Sequence, residues 1–310
     1  MIRGHGYFYI QFVMNCCSRP SVTNDEDVMA SALNDVDLLE VLDSAVRSKM
    51  AYLEPHAVAA LWKTANNLAV SRNIFEVFIY SQLIHLDAPP QFLTSPCTSN
   101  EDAQAYIWRH DNTIYLTYRG TSSKKDILAD GDAVGHRVEK GVIVHDGFYK
   151  QFRSLHPEVM HFILNNMSAK RLVIAGHSLG GGLAQIAAAY YGEVWQSLEV
   201  TCHTFGCPRT GNLGFVKWFS TYVHQHVRVA NTNDPVPMVP QRSVWCHTTN
   251  KCIMVDDDCN AKEITRDVPW HKRCWQTIAD LDFMAPIQDH SCDLYISRMH
   301  VLHTSRATKI

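Results

Sequence analysis

The residues best suited to chemistry stand together at Gly176-His177-Ser178-Leu179-Gly180. The run before them, Arg171 to Ala175, is apolar and β-branched; the run after them, Leu179 to Tyr191, is rich in alanine. Together they predict a strand, a tight turn and a helix. A turn of that kind pushes the serine hydroxyl out over the sheet edge. The helix N-terminus that follows offers backbone N–H groups to a developing negative charge. The five-residue pattern alone is weak, and Ser178 as an ordinary helix cap is the plain alternative. The strand before it and the helix after it favour a nucleophile.

A serine hydroxyl attacks only when a base takes its proton, and that base is usually a histidine held by a carboxylate. Asp234 lies in Asn233-Asp234-Pro235-Val236-Pro237, just past the strand-like His226 to Ala230. That is the C-terminal strand end where α/β sheets gather their sites. An aspartate before proline is also a common turn. Five histidines follow it, His247, His271, His290, His300 and His303, and spacing does not choose among them.

These groups need a scaffold. From Asp25 to Val46 apolar residues recur at helical spacing (Met29, Leu33, Val36, Leu39, Leu42, Val46), with Asn24 or Asp25 as a cap. A second helix is expected after Pro55, a third near Asn73 to Gln82, and a loop over Asp87 to Asn100. Ala103 to His110 and Thr113 to Tyr118 flank Asp111-Asn112 as a hairpin. Beyond it strands and helices alternate, with Glu199 to Thr204 a strand, Leu213 to Val223 a helix and His226 to Ala230 a strand. That order predicts an α/β fold with a mostly parallel central sheet flanked by helices, and an N-terminal helical extension. Residues 1–100 are expected to pack on the core and 101–310 to form the catalytic region, in one structural unit.

Composition narrows the classes. Of 310 residues, 46% are apolar and 19% charged, enough for a sizeable core, and a net charge of −3 argues against broad capture of nucleic acid. No apolar stretch reaches the length of a membrane span, so any lipid contact should be peripheral. Arg3 precedes an apolar run, Tyr7 to Val13, but Gln11 interrupts it and no small-residue cleavage site follows, so a strand or buried arm is expected there rather than a leader. The 10 cysteines include no C-x-x-C pair, which argues against zinc and leaves the compartment undecided. Asp256-Asp257-Asp258 reads as a solvated turn rather than a Ca²⁺ site.

Several blocks resemble the class 3 lipase (fungal lipase-like) family: Tyr118-Arg119-Gly120-Thr121, His145-Asp146-Gly147-Phe148, Gly176 to Gly181, Phe205 to Asn212, Asn233 to Pro237, and Asp289-His290 followed by Tyr295. They stand in the family's order from Ala103 to Tyr295; Trp245 to Pro286 has no counterpart. The resemblance implies an α/β-hydrolase fold with Ser178 as nucleophile, Asp234 as the orienting acid and His290 as the base. It implies Thr121 and Leu179 as oxyanion-hole residues, with an ordinary strand-end residue as the alternative for Thr121, and a lid between Ser122 and Gly141 carrying Ile127, Leu128 and Val134, with a plain surface loop as the alternative. His145 is a site-lining candidate, with a structural role as the alternative. The implied activity is hydrolysis of carboxylic esters of lipids, acylglycerols first, without metal or cofactor. A phospholipase, an esterase for soluble esters, an acyltransferase and a non-catalytic interaction protein are the rivals. The implied partners are a lipid or ester substrate and a lipid surface, with no nucleic acid and no obligate protein partner.

Overall fold

Apolar runs that must be buried on both faces become the centre of one sheet. The computed structural model describes residues 36–64, 83, 86–95, 103–120, 134–240, 244–248, 252–264 and 288–307. In chain order they form α1 (Leu38–Met50), α2 (Pro55–Thr64), β1 (Gln91–Thr94), β2 (Gln104–His110), β3 (Thr113–Tyr118), β4 (Gly135–Glu139) and β5 (Val142–His145). There follow α3 (Asp146–Asn165), β6 (Arg171–His177), α4 (Leu179–Val194), β7 (Glu199–Phe205), α5 (Leu213–Tyr222), β8 (Gln225–Asn231), β9 (Cys252–Val255), β10 (Ala261–Ile264) and α6 (Cys292–Ala307).

Eight strands make the main sheet in the order β1-β2-β3-β6-β7-β8-β9-β10. The pairs from β3 to β9 are parallel, and antiparallel pairs close both edges. The expected mostly parallel α/β sheet is what forms. Side chains alternate across it with the period of two that a strand imposes. Ala105 and Ile107 of β2 join Phe152 of α3, Leu183 of α4 and Phe215 of α5. Tyr106 and Trp108 join Leu42 of α1 and Met299 of α6 on the other face. β6 is buried from Leu172 to His177, as a central parallel strand must be. Gly180 to Ala189 of α4 are all buried, and the glycines and alanines among them let the helix seat closely on the sheet.

Three differences from the expected elements have physical reasons. The expected helix from Asp25 to Val46 does not run through its midpoint: residues 36 and 37 are non-helical, and α1 starts at Leu38. Asp37 caps it, its Oδ1 accepting from the Leu39 and Glu40 N–H groups at 3.0 and 3.1 Å. A good cap overrides a continuing apolar period. The expected loop from Asp87 to Asn100 contains β1, with Leu93 buried against β2. The end of the expected lid segment is regular, since Gly135 to Glu139 pairs with β5 as a hairpin turning at Gly141, φ +88°. Residues 25–35 and the expected helix near Asn73 to Gln82 lie outside the described residues. α1 packs on β6, β7 and α6. No described helix is long and apolar enough to cross a membrane.

Asp37→Ala should lower unfolding free energy by about 1 kcal/mol, because two α1 N–H groups lose their acceptor. Asp37→Asn should retain most of it. Urea denaturation of both variants checks the pair.

Candidate active site

β6 ends at His177, α4 begins at Leu179, and Ser178 alone makes the turn between them, with φ 59° and ψ −131°. Non-glycine residues occupy positive φ at a cost, so the surroundings must hold it there. The flanking glycines explain how. A Cβ on Gly176 would collide with the Gly180 backbone, and one on Gly180 with the Tyr118 carbonyl at the end of β3. The turn is therefore clamped between two strands by backbone contact that no larger residue permits. Ser178 N–H donates to Phe205 O at 2.9 Å, tying the turn to the end of β7. The serine is 0% exposed, and among the described residues its Oγ has no hydrogen-bond partner.

Asp234 follows β8 and is 1% exposed. A buried carboxylate needs donors on every side. Its Oδ1 accepts from Val236 N–H at 2.9 Å; its Oδ2 accepts from Tyr295 Oη at 2.6 Å and from His290 Nδ1 at 2.8 Å. Tyr295 Oη in turn accepts from Asn231 N–H at 2.9 Å. Burial and the adjacent Asp234 charge push the Tyr295 phenol far above its usual range, so it remains a donor. With Nδ1 turned to Asp234, His290 has its Nε2 buried and without a partner among the described residues. Gly206, φ +56°, lies beneath the pair: a Cβ there would sit 2.7 Å from Asp234 Oδ2 and 2.9 Å from His290 Nδ1.

Of the five candidate histidines, His290 is the one bonded to Asp234. His247 instead donates Nε2–H to Pro237 O at 2.8 Å, and burial keeps it neutral. His300 and His303 lie along α6, and His271 is outside the described residues. His177, between the glycine and the serine, also lies against the site. Its ring centroid is 4.5 Å from that of His290, and its Nε2–H donates to His290 O at 2.8 Å. Its Nδ1 faces Tyr52 Oη at 2.9 Å. Burial, and then the neighbouring His290, hold its pKa well below the usual histidine range. Tyr52 escaped sequence reasoning altogether, because nothing in its local pattern distinguishes a phenol that reaches 125 residues along the chain.

The remaining candidates divide. Leu179 is the first residue of α4, where backbone N–H groups have no helical acceptor. Thr121, Ile127 and Leu128 lie outside the described residues. Val134 is 66% exposed at the start of β4. His145 is buried in an aromatic layer, stacked on Phe148 at 4.2 Å and tilted against Trp245 at 5.8 Å. Phe148 presses on Gly182 of α4, so His145 supports the wall behind the turn. Asp256 caps its own turn, accepting from Asp258 and Asn260 N–H, and Asp257 pairs with Arg298 at 2.5 Å. Among the described residues no cluster of His, Cys, Asp or Glu is arranged to hold a metal ion.

Residues 115–244 match the family described as Lipase (class 3). A curated lipase of Rhizopus niveus is 30% identical over 152 residues, covering 46% of this chain and 39% of that protein. The chain therefore spans well under half of that relative's length. The fold is that of a solved Rhizomucor miehei triacylglyceride lipase, with TM-score 0.61 and 21% identity, covering 83% of this chain and 93% of that one. A second solved structure, of a triacylglycerol lipase described as having a serine protease triad at its catalytic centre, matches with TM-score 0.60 and 22% identity, over 87% of this chain and 95% of that one.

Gly206→Ala should both strain a positive-φ position and push Asp234 and His290 apart. The expected loss is about 1–3 kcal/mol of stability by urea denaturation. Organophosphonate labelling of Ser178 in the folded variant should fall at least about ten-fold, the outcome expected of an imidazole that serves the serine as base.

Proposed function

We propose that this chain, whose residues 115–244 match the class 3 lipase family and whose fold is that of solved lipases, is a serine hydrolase cleaving carboxylic esters of acylglycerol type. One observation carries the reading. His290 is hydrogen-bonded through Nδ1 to a buried Asp234 at 2.8 Å, while its Nε2 and the Ser178 hydroxyl are both buried and unpartnered among the described residues. Buried polar atoms are normally satisfied, so a buried, unpartnered serine hydroxyl and imidazole nitrogen beside a His–Asp pair support a role in chemistry.

In the proposed reaction His290 Nε2 takes the Ser178 proton as Oγ attacks the ester carbonyl. Asp234 accepts from Nδ1–H throughout and stabilises the imidazolium. The carbonyl oxygen, now an anion, receives hydrogen bonds from the Leu179 N–H and the Thr121 N–H. Losing one donor of that kind typically costs on the order of 10²–10³ in turnover. The imidazolium then gives its proton to the departing alcohol, leaving an acyl-Ser178 ester. Water, deprotonated by the same Nε2, attacks the acyl carbon, and the carboxylic acid leaves as Ser178 recovers its proton. The Rhizomucor and triacylglycerol lipase neighbours support acylglycerols as the substrate class. Lipid-surface contact belongs to the same proposal: Val134 and Val244, flanking the approach of Gly135 to Trp245, are more than half exposed.

Ser178→Ala should lower kcat on a tributyrin-type ester by roughly 10⁴–10⁶, on the scale of triad removal elsewhere. A panel of acylglycerols, phospholipids and short soluble esters, with Ser178→Ala as blank, checks this. Turnover that rises when the same ester passes from monomers to micelles supports the lipase reading. Activity confined to monomeric esters would instead assign a soluble-ester esterase.

A further inference from the structure

His177 occupies the variable position of the serine turn, yet its ring joins three parts of the site. Its Nε2–H donates to the carbonyl of His290 at 2.8 Å, holding the backbone of the proposed base. A neutral imidazole carries one N–H, so Nδ1 must then be an acceptor. Tyr52 Oη lies 2.9 Å from that Nδ1 and is the donor that suits it. The same phenol oxygen packs against Gly120. Gly120 is pressed between Tyr52 and the serine turn. A Cβ on it would collide with Tyr52 Oη and the His177 carbonyl, and would lie 3.2 Å from Ser178 Cβ.

We propose, resting on the hydrolase reading above, that Tyr52 is a positioning residue: its hydroxyl holds His177 in one tautomer, and so sets the backbone of the proposed base against Ser178. The other tautomer of His177 would turn the Nε2 lone pair toward the His290 carbonyl oxygen at 2.8 Å, a repulsive contact. The Tyr52 hydroxyl prevents this by keeping the proton off Nδ1. Burial keeps His177 neutral and the phenol protonated across ordinary pH, so the arrangement does not titrate away. Tyr52 follows α1, ahead of the lipase-matching segment, and gives that N-terminal region a direct part in the site. Its ring packs edge-on to His177 at 5.9 Å and carries the Arg119 guanidinium at the same distance, contacts that phenylalanine would keep.

The test is Tyr52→Phe in the full chain, assayed on p-nitrophenyl butyrate with active sites counted by organophosphonate titration. The expected result is kcat about ten-fold lower per titrated site with KM unchanged, the pattern of weakened transition-state stabilisation with substrate binding untouched. ¹⁵N NMR of labelled histidine gives a second readout: His177 should be the Nε2–H tautomer in wild type and a mixture in the variant. Wild-type kcat with an unchanged His177 tautomer in Tyr52→Phe would overturn the proposal. So would an Nδ1–H tautomer in the wild type, a result that needs no variant. A wild-type protein inert to both ester and phosphonate would instead overturn the hydrolase reading itself.

Discussion

A carboxylate with 1% exposure sets the terms for one whole side of this molecule. Asp234 has left water, and an uncompensated buried charge costs far more than any single contact returns. Its oxygens are therefore met by three donors drawn from separate parts of the chain: Val236 from its own turn, His290 from the loop before α6, and Tyr295 from α6. Tyr295 also takes the Asn231 N–H, and Asn231 Nδ2 donates to Asp289 O at 2.7 Å. The end of β8, the loop carrying His290 and the first turns of α6 are thus locked together around one charge. The imidazole orientation follows from this, because only one ring nitrogen faces the carboxylate. Arg298 adds a further tie, donating to Asp257 of the β9–β10 turn and to Asp289 beside His290.

The serine turn is held by a different kind of force. No charge keeps Ser178 at φ 59°; close backbone approach does. Gly176, Gly180 and Gly206 are each placed where a methyl group would meet backbone or the His–Asp pair. The strain at Ser178 is sustained because β3, β6 and β7 converge on it, with Phe205 O taking its N–H. A rigid parallel sheet supplies what a surface loop would not: fixed strand ends that hold one turn by hydrogen bond and by close backbone packing.

How much of this was legible in the sequence follows from how local each feature is. The strand-turn-helix around Ser178 was readable, because its glycines, apolar run and alanine-rich helix lie within about twenty consecutive residues and each obeys a short-range rule. The hairpin at Asp111-Asn112 and the alternation from Arg171 to Asn231 were readable for the same reason. Asp234 could be placed at a strand end but not told from a turn residue. His290 could not be selected from the residues at all, since its partner is fixed by tertiary packing; only the family resemblance singled it out. Asp37 was missed because the apolar period ran on past it, and β1 because Phe92-Leu93 sits amid prolines and threonines. Tyr52 carried no signal: its significance exists only after α1 has folded onto the sheet. The segment between Trp245 and Pro286, unplaced by motif, contributes β9 and β10, an extra edge to the sheet.

The central claim is that the Ser178 oxygen and His290 Nε2 act on the same proton, with Asp234 behind the ring. A crystal structure of the protein after reaction with an alkyl phosphonate tests it most directly. The expected adduct has a covalent P–O bond to Ser178 Oγ, His290 Nε2 within hydrogen-bond distance of one of its oxygens, and the phosphoryl oxygen on the Leu179 N–H. A phosphonate bound to any other residue, or an imidazole of His290 turned away from the adduct, would contradict it.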